Sequence, residues 1–255
     1  MIKQKAYKSV IILYRKYMAV VELEVSIPQD LSAIKLHQYQ KYLSVAKGVD
    51  ENDKQNEFLN LKALEIFCCL SLKDSYNLPV SMFESVLKQL SDCFGEKTDL
   101  VQRFKMTGSD GITLEFGFIP NLDKMTFGEY IDLESYITDW DNMHKAMAVM
   151  YRPIVAGKKH LYEIESYEGT ERWADVMKDA PVNVAMGAIV FFYRLGSKLS
   201  RYTMNSLLEE EQKKGNTALK EVLEENGVGI SQYMDLLEAM STNLSQSPRF
   251  HYTPA

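Results

Sequence analysis

The chain has 255 residues, 46 % hydrophobic and 25 % charged, a composition that builds a packed core and excludes a disordered chain. Thirty-five acids against 29 bases leave a formal charge of −6, which argues against sequence-independent nucleic-acid binding, where lysine and arginine must neutralise phosphates. The three cysteines, Cys68, Cys69 and Cys93, do not suggest a secreted disulfide framework, because their number is odd and two are adjacent.

Val10 to Leu13 is apolar but too short for a signal-peptide core, and Tyr14, Arg15 and Lys16 follow it. Between Tyr17 and Ile27 the chain alternates: Val21, Leu23, Val25 and Ile27 share one face, and Glu22, Glu24 and Ser26 the other. Period two with one charged face predicts a half-buried strand, with Val10–Leu13 as its hairpin partner across Tyr14–Lys16. After Pro28 the period changes, and Leu36, Tyr39, Tyr42 and Leu43 predict a helix. Gly48 to Lys54 is polar and predicts a surface loop. Helical spacing returns in Phe58, Leu61, Leu64 and Phe67, and Cys68 and Cys69 read as small hydrophobes inside the apolar run Leu64–Leu72. A third helix is predicted to open at Ser81, with Glu84 completing a capping box and Phe83, Val86, Leu87, Leu90 and Phe94 as its apolar face.

Gly108 to Gly111 is a turn signal, followed by the alternation of Ile112, Leu114, Phe116 and Phe118, which predicts a second strand ending at Pro120. A helix is predicted over Asp139–Tyr151, with Trp140, Met143, Met147, Met150 and Tyr151 as its buried stripe and Pro153 as its terminator. Leu161, Ile164 and Tyr167 suggest one more short strand. Val182 to Leu195 follows Pro181, which suits a first helical turn, and it is apolar on nearly all sides, as an enclosed central helix would be. It contains Asn183 and Arg194 and falls short of the roughly 20 residues needed to cross a bilayer, so no membrane contact is expected. A charged run at Glu209–Lys214, a break at Gly227 and Gly229, a last helix over Ser231–Leu244 and an aperiodic tail complete the chain. The expected class is α+β and predominantly helical, with a small antiparallel sheet or hairpins and a helical C-terminal half. The expected organisation is 1–107 followed by 108–255, or one continuous domain.

Ile34–Tyr39 and Met125–Tyr130 echo each other: each follows an alternating strand ending in Ile-Pro, and each precedes an apolar helix. Duplication of a small strand-to-helix unit and chance recurrence both account for the echo.

Motifs that carry chemistry are missing. The four histidines, His37, His144, His160 and His251, form no His-x-x-x-His pair, and no Cys-x-x-Cys supports zinc. The glycines form no phosphate cradle, and no serine sits in a Gly-x-Ser-x-Gly elbow. The densest acidic cluster is Asp132, Glu134, Asp139 and Asp141, with Asp123 and Glu129 upstream. It lacks calcium-loop spacing, and acids ahead of a helix complement its positive N-terminal end. No catalytic residue, metal or cofactor is expected, the alternative being a metal-assisted hydrolase built on that cluster. Thirteen methionines, fifteen tyrosines and eleven phenylalanines exceed what a core of this size needs and suit a contact surface.

Phe118–Leu133 (FIPNLDKMTFGEYIDL) and Met147–Ile154 (MAVMYRPI) resemble uncharacterised proteins of tailed-bacteriophage morphogenesis modules, taken to be tail-assembly or baseplate-related factors. The N-terminal layout, a strand and then a helix pair around Phe58–Leu70 and Ser81–Phe94, is similar to phage tail-assembly chaperones, although this chain is longer. The resemblance covers residues 17–200. It implies a non-catalytic protein of tail assembly or of the virion, working through other phage tail or virion proteins and through self-association. Its expected place is the host cytoplasm during assembly, or the particle itself; a host-directed adaptor or inhibitor is a further alternative. Phe127, Tyr130, Trp140, Met147, Tyr151 and Arg152 become the candidate structural and contact residues, with Arg152 expected to pair with an acid of the 132–141 cluster.

Overall fold

The computed structural model describes residues 7–16, 19–47, 53–108, 111–158 and 161–196. Strands β1 (Tyr7–Lys16) and β2 (Ala19–Pro28) form an antiparallel hairpin in which Tyr7 pairs with Pro28 and Lys16 with Ala19. The alternation read in β2 is observed at its base, where Val25 and Ile27 are buried and Glu24 is exposed. Tyr14–Lys16, expected as the turn, belongs to β1, where Tyr14 pairs with Val21, Arg15 with Val20 and Lys16 with Ala19.

Helix α1 (Leu36–Ala46) buries Leu36, Tyr39, Tyr42 and Leu43, as its spacing requires. Helix α2 (Asp53–Phe67) takes in Asp53 and Lys54 from the predicted loop; residues 48–52 lie outside the described residues. Leu61, Leu64 and Phe67 are buried, while Phe58 is exposed. At its end the N–H groups of Cys68 and Leu70 both donate back to the Leu64 carbonyl, at 3.0 and 3.3 Å, and Cys69 between them holds the left-handed conformation with φ 54°. Glycine is the usual occupant of that position, so an exposed cysteine sits there at a conformational cost.

A short helix, α3 (Leu72–Asn77), was not foreseen; Ser71 caps it by accepting from the Asp74 N–H. Helix α4 (Val80–Phe94) buries Val86, Leu87, Leu90 and Cys93. It opens earlier than the Ser81–Glu84 signal indicated. Pro79 is its N-cap, and its carbonyl accepts from the N–H groups of Met82 and Phe83, so no capping box forms.

Strands β3 (Arg103–Thr107), β4 (Thr113–Phe118), β5 (Tyr151–Lys158) and β6 (Leu161–Ile164) make an antiparallel sheet in that spatial order. β4 and β6 match the sequence expectations, whereas β3 and β5 were not expected from the sequence. Between β4 and β5 come a 3₁₀ turn at Leu122–Lys124, α5 (Phe127–Tyr136), a second 3₁₀ turn at Trp140–Asn142 and α6 (Met143–Met150).

The helix predicted over Asp139–Tyr151 is therefore shorter. It stops at Met150 because Tyr151 pairs with Phe118, Arg152 with Gly117 and Pro153 with Phe116. Pro153 does not terminate a helix; it sits inside a central strand, next to a register irregularity between Ile154 and Ala156. Helix α7 (Glu171–Met177) precedes the final described helix, α8 (residues 182–196), whose Val182, Val184, Ala185, Ala188 and Ile189 are buried. Pro181 lies just ahead of α8, where its carbonyl accepts from Val184.

The result is the α+β class expected, with two small antiparallel sheets among the described residues. One hydrophobic core runs from Val25 to Ile189 and crosses position 107. Lys35 and Pro181 form an isolated bridge, and the Val182 N–H donates to the Ile34 carbonyl at 2.8 Å. Gly187 lets α8 touch the chain at Asp99: a Cβ there would collide with the Asp99 carbonyl. The echoing stretches open α1 and α5 in the same way. In each, the third helical residue reaches back, Gln38 to the Lys35 N–H and Glu129 to the Thr126 N–H, but their preceding strands lie in different sheets. The charged run at 209–214, the helix at 231–244 and the tail lie outside the described residues.

Candidate functional site

At the start of α5, the sequence Thr126-Phe127-Gly128-Glu129 closes a reciprocal cap. The Thr126 hydroxyl accepts from the Glu129 N–H at 3.2 Å, while the Thr126 N–H and hydroxyl donate to Glu129 Oε2 at 2.7 and 2.8 Å. This cap leaves the other carboxylate oxygen facing inward. Arg152, the second residue of β5, donates to it through Nη2 at 2.5 Å. Both side chains are almost fully enclosed, 7 % and 5 % exposed for arginine and glutamate, so each charge depends on the other.

Two further guanidinium N–H groups donate to backbone oxygens: Nε to Glu165 at 2.7 Å and Nη1 to Val149 at 3.0 Å. The guanidinium also lies over the Tyr167 ring, 5.3 Å from its centre, and the Tyr167 hydroxyl donates to Asp132. Glu165 in turn accepts from the Trp173 indole at 2.6 Å and pairs with Arg172 at 2.7 Å. Burial works to raise the Glu129 carboxyl, but Thr126 and Arg152 outweigh it and hold it below its ordinary value. Burial and the Asp132 carboxylate push the Tyr167 phenol up. Glu129 is thus held ionised as a brace between α5 and β5.

Arg152 was expected to pair with an acid of the 132–141 cluster; its partner is Glu129, just outside it. The reason is the cap, which aims Glu129 inward and turns Asp132 toward Tyr167. Asp139 and Asp141 also have partners. Asp139 accepts from the Asp141 N–H at 3.0 Å and from the Asn142 amide at 2.7 Å, and Asp141 pairs with Lys47 at 2.6 Å. Glu134 is exposed on α5. Among the described residues, no three histidines, cysteines or acids are placed to hold a metal ion.

The six candidate residues separate into two sets. Trp140, Met147 and Tyr151 are core, and Arg152 is the buried brace. Tyr39 meets Trp140 edge-on at 4.7 Å, and the Tyr151 hydroxyl donates to the Val101 carbonyl. Phe127 and Tyr130 are at the surface, 78 % and 50 % exposed, and Ile131 joins them at 42 %. Spacing of three and four residues puts these three side chains on one stripe of α5. Glu129 and Leu133 on the same helix, and Ile137 at its C-cap, are buried. The sequence contained the signal for Glu129 in the Thr-x-x-Glu spacing. Glu165, Tyr167 and Trp173 carried none, because they reach the site only through the β5–β6 pairing.

A cavity of about 500 Å³ lies elsewhere, lined by Met106, Leu114, Phe116, Trp173, Asp175 and Asp179 among others. Its two acids are paired, Asp175 with Lys178 and Asp179 with Lys35. Comparison of the chain with protein-family models, curated proteins and solved structures gave no match. Among the described residues, no helix is long and apolar enough to cross a membrane.

Proposed function

We propose that this chain is a non-catalytic contact protein of a tailed bacteriophage, working in tail assembly or within the virion through other tail or virion proteins. The observation that carries the contact role is the α5 stripe of Phe127, Tyr130 and Ile131, large apolar groups left at the surface of a helix whose other side is locked to β5. Aromatic side chains on a rigid support bury much area for little lost entropy, which is what a contact surface needs. The phage assignment is supported by the resemblance of 118–133 and 147–154. Those two stretches meet in the fold, since Glu129 belongs to the first and Arg152 to the second. Within the 132–141 segment Asp132 accepts from Tyr167, Asp139 caps the Trp140–Asn142 turn and Asp141 pairs with Lys47, which weighs against the hydrolase alternative.

Mass spectrometry of purified virions and of tail-assembly intermediates from infected cells tests the reading. The chain should be found in at least one of them, and capture of tail or head proteins should fall when Phe127 and Tyr130 are both changed to serine. Absence from particles and intermediates alike overturns the proposal.

A further inference from the structure

The β1–β2 hairpin is built unlike the rest of the fold. Ten paired residues at about 3.3 Å each make a ribbon about 33 Å long. Its base is anchored: Val25 and Ile27 are in the core, and the Tyr7 hydroxyl donates to the Ala33 carbonyl at 2.8 Å. Beyond the base the strands remain apolar, with Val10, Ile11, Ile12 and Leu13 on β1 and Val20, Val21 and Leu23 on β2. Consecutive apolar residues are the pattern of strands covered on both faces, yet Ile11 is 60 % exposed. Among the described residues the ribbon is a two-stranded sheet, so each strand has one outer hydrogen-bonding edge unpaired within it. Long apolar edges of this kind recruit another strand.

Charge identifies the recruit. β1 carries Lys8, Arg15 and Lys16 and no acid; β2 carries Glu22 and Glu24 and no base. Within the hairpin the residue directly opposite each of these charges is neutral, Val20 for Arg15, Ala19 for Lys16, Leu13 for Glu22 and Ile11 for Glu24. Arg15 and Glu22 are diagonal to each other, and Glu24 accepts from the Ser9 hydroxyl. Two β1 edges would bring like charges together, as would two β2 edges, whereas β1 against β2 is complementary. A slip of two residues from the internal register sets Arg15 of one chain opposite Glu22 of the other, with side-chain alternation kept.

We infer that the ribbon is a self-association element, in which the β1 edge of one protomer pairs antiparallel with the β2 edge of the next. Such a contact uses different surfaces on the two copies, so it propagates head to tail and yields a ring or a filament. The inference rests on the contact role proposed above and adds the partner, a second copy of this chain.

Sedimentation velocity on the full chain over a wide concentration range provides the test. The wild type should form concentration-dependent oligomers. Arg15→Glu with Lys16→Glu, and separately Glu22→Lys with Glu24→Lys, should each weaken association roughly tenfold, because attraction becomes repulsion at the edge. Mixing the two variants should restore assembly, since each then offers the other a complementary edge. Circular dichroism of each variant checks that the fold is kept. A monomeric wild type overturns the inference, and so does association that ignores these charges or fails to return on mixing. A chain that stays monomeric but still co-purifies with tail proteins would remove the ribbon contact and leave the broader role standing.

Discussion

The α5–β5 junction and the β1–β2 ribbon handle charge in opposite ways. At the junction Glu129, Arg152, Asp132 and Glu165 each have a partner inside the fold. In the ribbon, bases and acids are kept on separate strands with neutral residues opposite. Burial explains the first arrangement: an enclosed charge without a partner loses its hydration and recovers nothing. In the ribbon the strand pairing sets no acid directly opposite a base, and the proposed contact between copies is what would do so. Stability and association should therefore respond to different substitutions.

The largest effect is expected at the brace. Arg152→Met leaves Glu129 buried and unpaired and should destabilise the chain by about 3–5 kcal/mol in denaturant melts. Adding Glu129→Leu should recover much of that loss, because the orphaned charge is removed with its partner. If the double variant is no better than the single one, the pair is not the coupled unit described. Next, Gly187→Ala should cost about 1–3 kcal/mol, since the Asp99 carbonyl it meets is backbone and cannot swing away. Normal stability in that variant would mean that α8 does not pack so closely on the 99–100 segment.

The pH dependence follows from the same brace. The folded Glu129 carboxyl is held below its ordinary value of 4.5, so the unfolded chain binds the proton more readily. Its contribution is complete above that value and is lost as the pH falls through it toward the folded pKa. His144 acts in the same direction at higher pH. Burial, then Lys178 and Lys145, hold its ring below 6.5, and Gln40 donates to Nδ1, so stability should fall as pH drops through 6.5. Thermal melts of Glu129→Gln and of His144→Asn should each lose the slope in its own window. A slope unchanged in either variant would assign that window to other groups.

A smaller gain is expected at the end of α2. Cys69→Gly places the residue suited to φ 54° there and should stabilise by roughly 0.5–1 kcal/mol, unless the cysteine side chain is itself used. Smallest of all is the effect of Phe127→Ser with Tyr130→Ser on stability. With both side chains exposed it should stay within about 0.5 kcal/mol, while partner capture falls. A large loss of stability would show that the stripe is covered by the chain itself.

Legibility in the sequence followed the range of the forces involved. The alternation in β2 and β4, and the apolar spacing of α1, α2, α4 and α8, were readable because one element's burial pattern repeats at its own period. The Thr126–Glu129 cap was equally local. The Met143–Met150 stretch was readable as helix, but its ends were not: Trp140 falls in a separate 3₁₀ turn. Tyr151 continues the helical spacing, and only pairing with Phe118 draws it into a strand. β3 was silent because a short edge strand of five residues, with only Phe104 and Met106 packed against the core, has too few positions to display a period.

The sequence by itself settled the α+β class and which residues are apolar enough to be core. Tertiary structure alone decided which acid Arg152 meets, which aromatics of the contact set are inside or outside, and that Pro153 lies within a sheet. Those outcomes depend on which element covers which face. That is a property of pairs of segments far apart in the chain, and no local period records it.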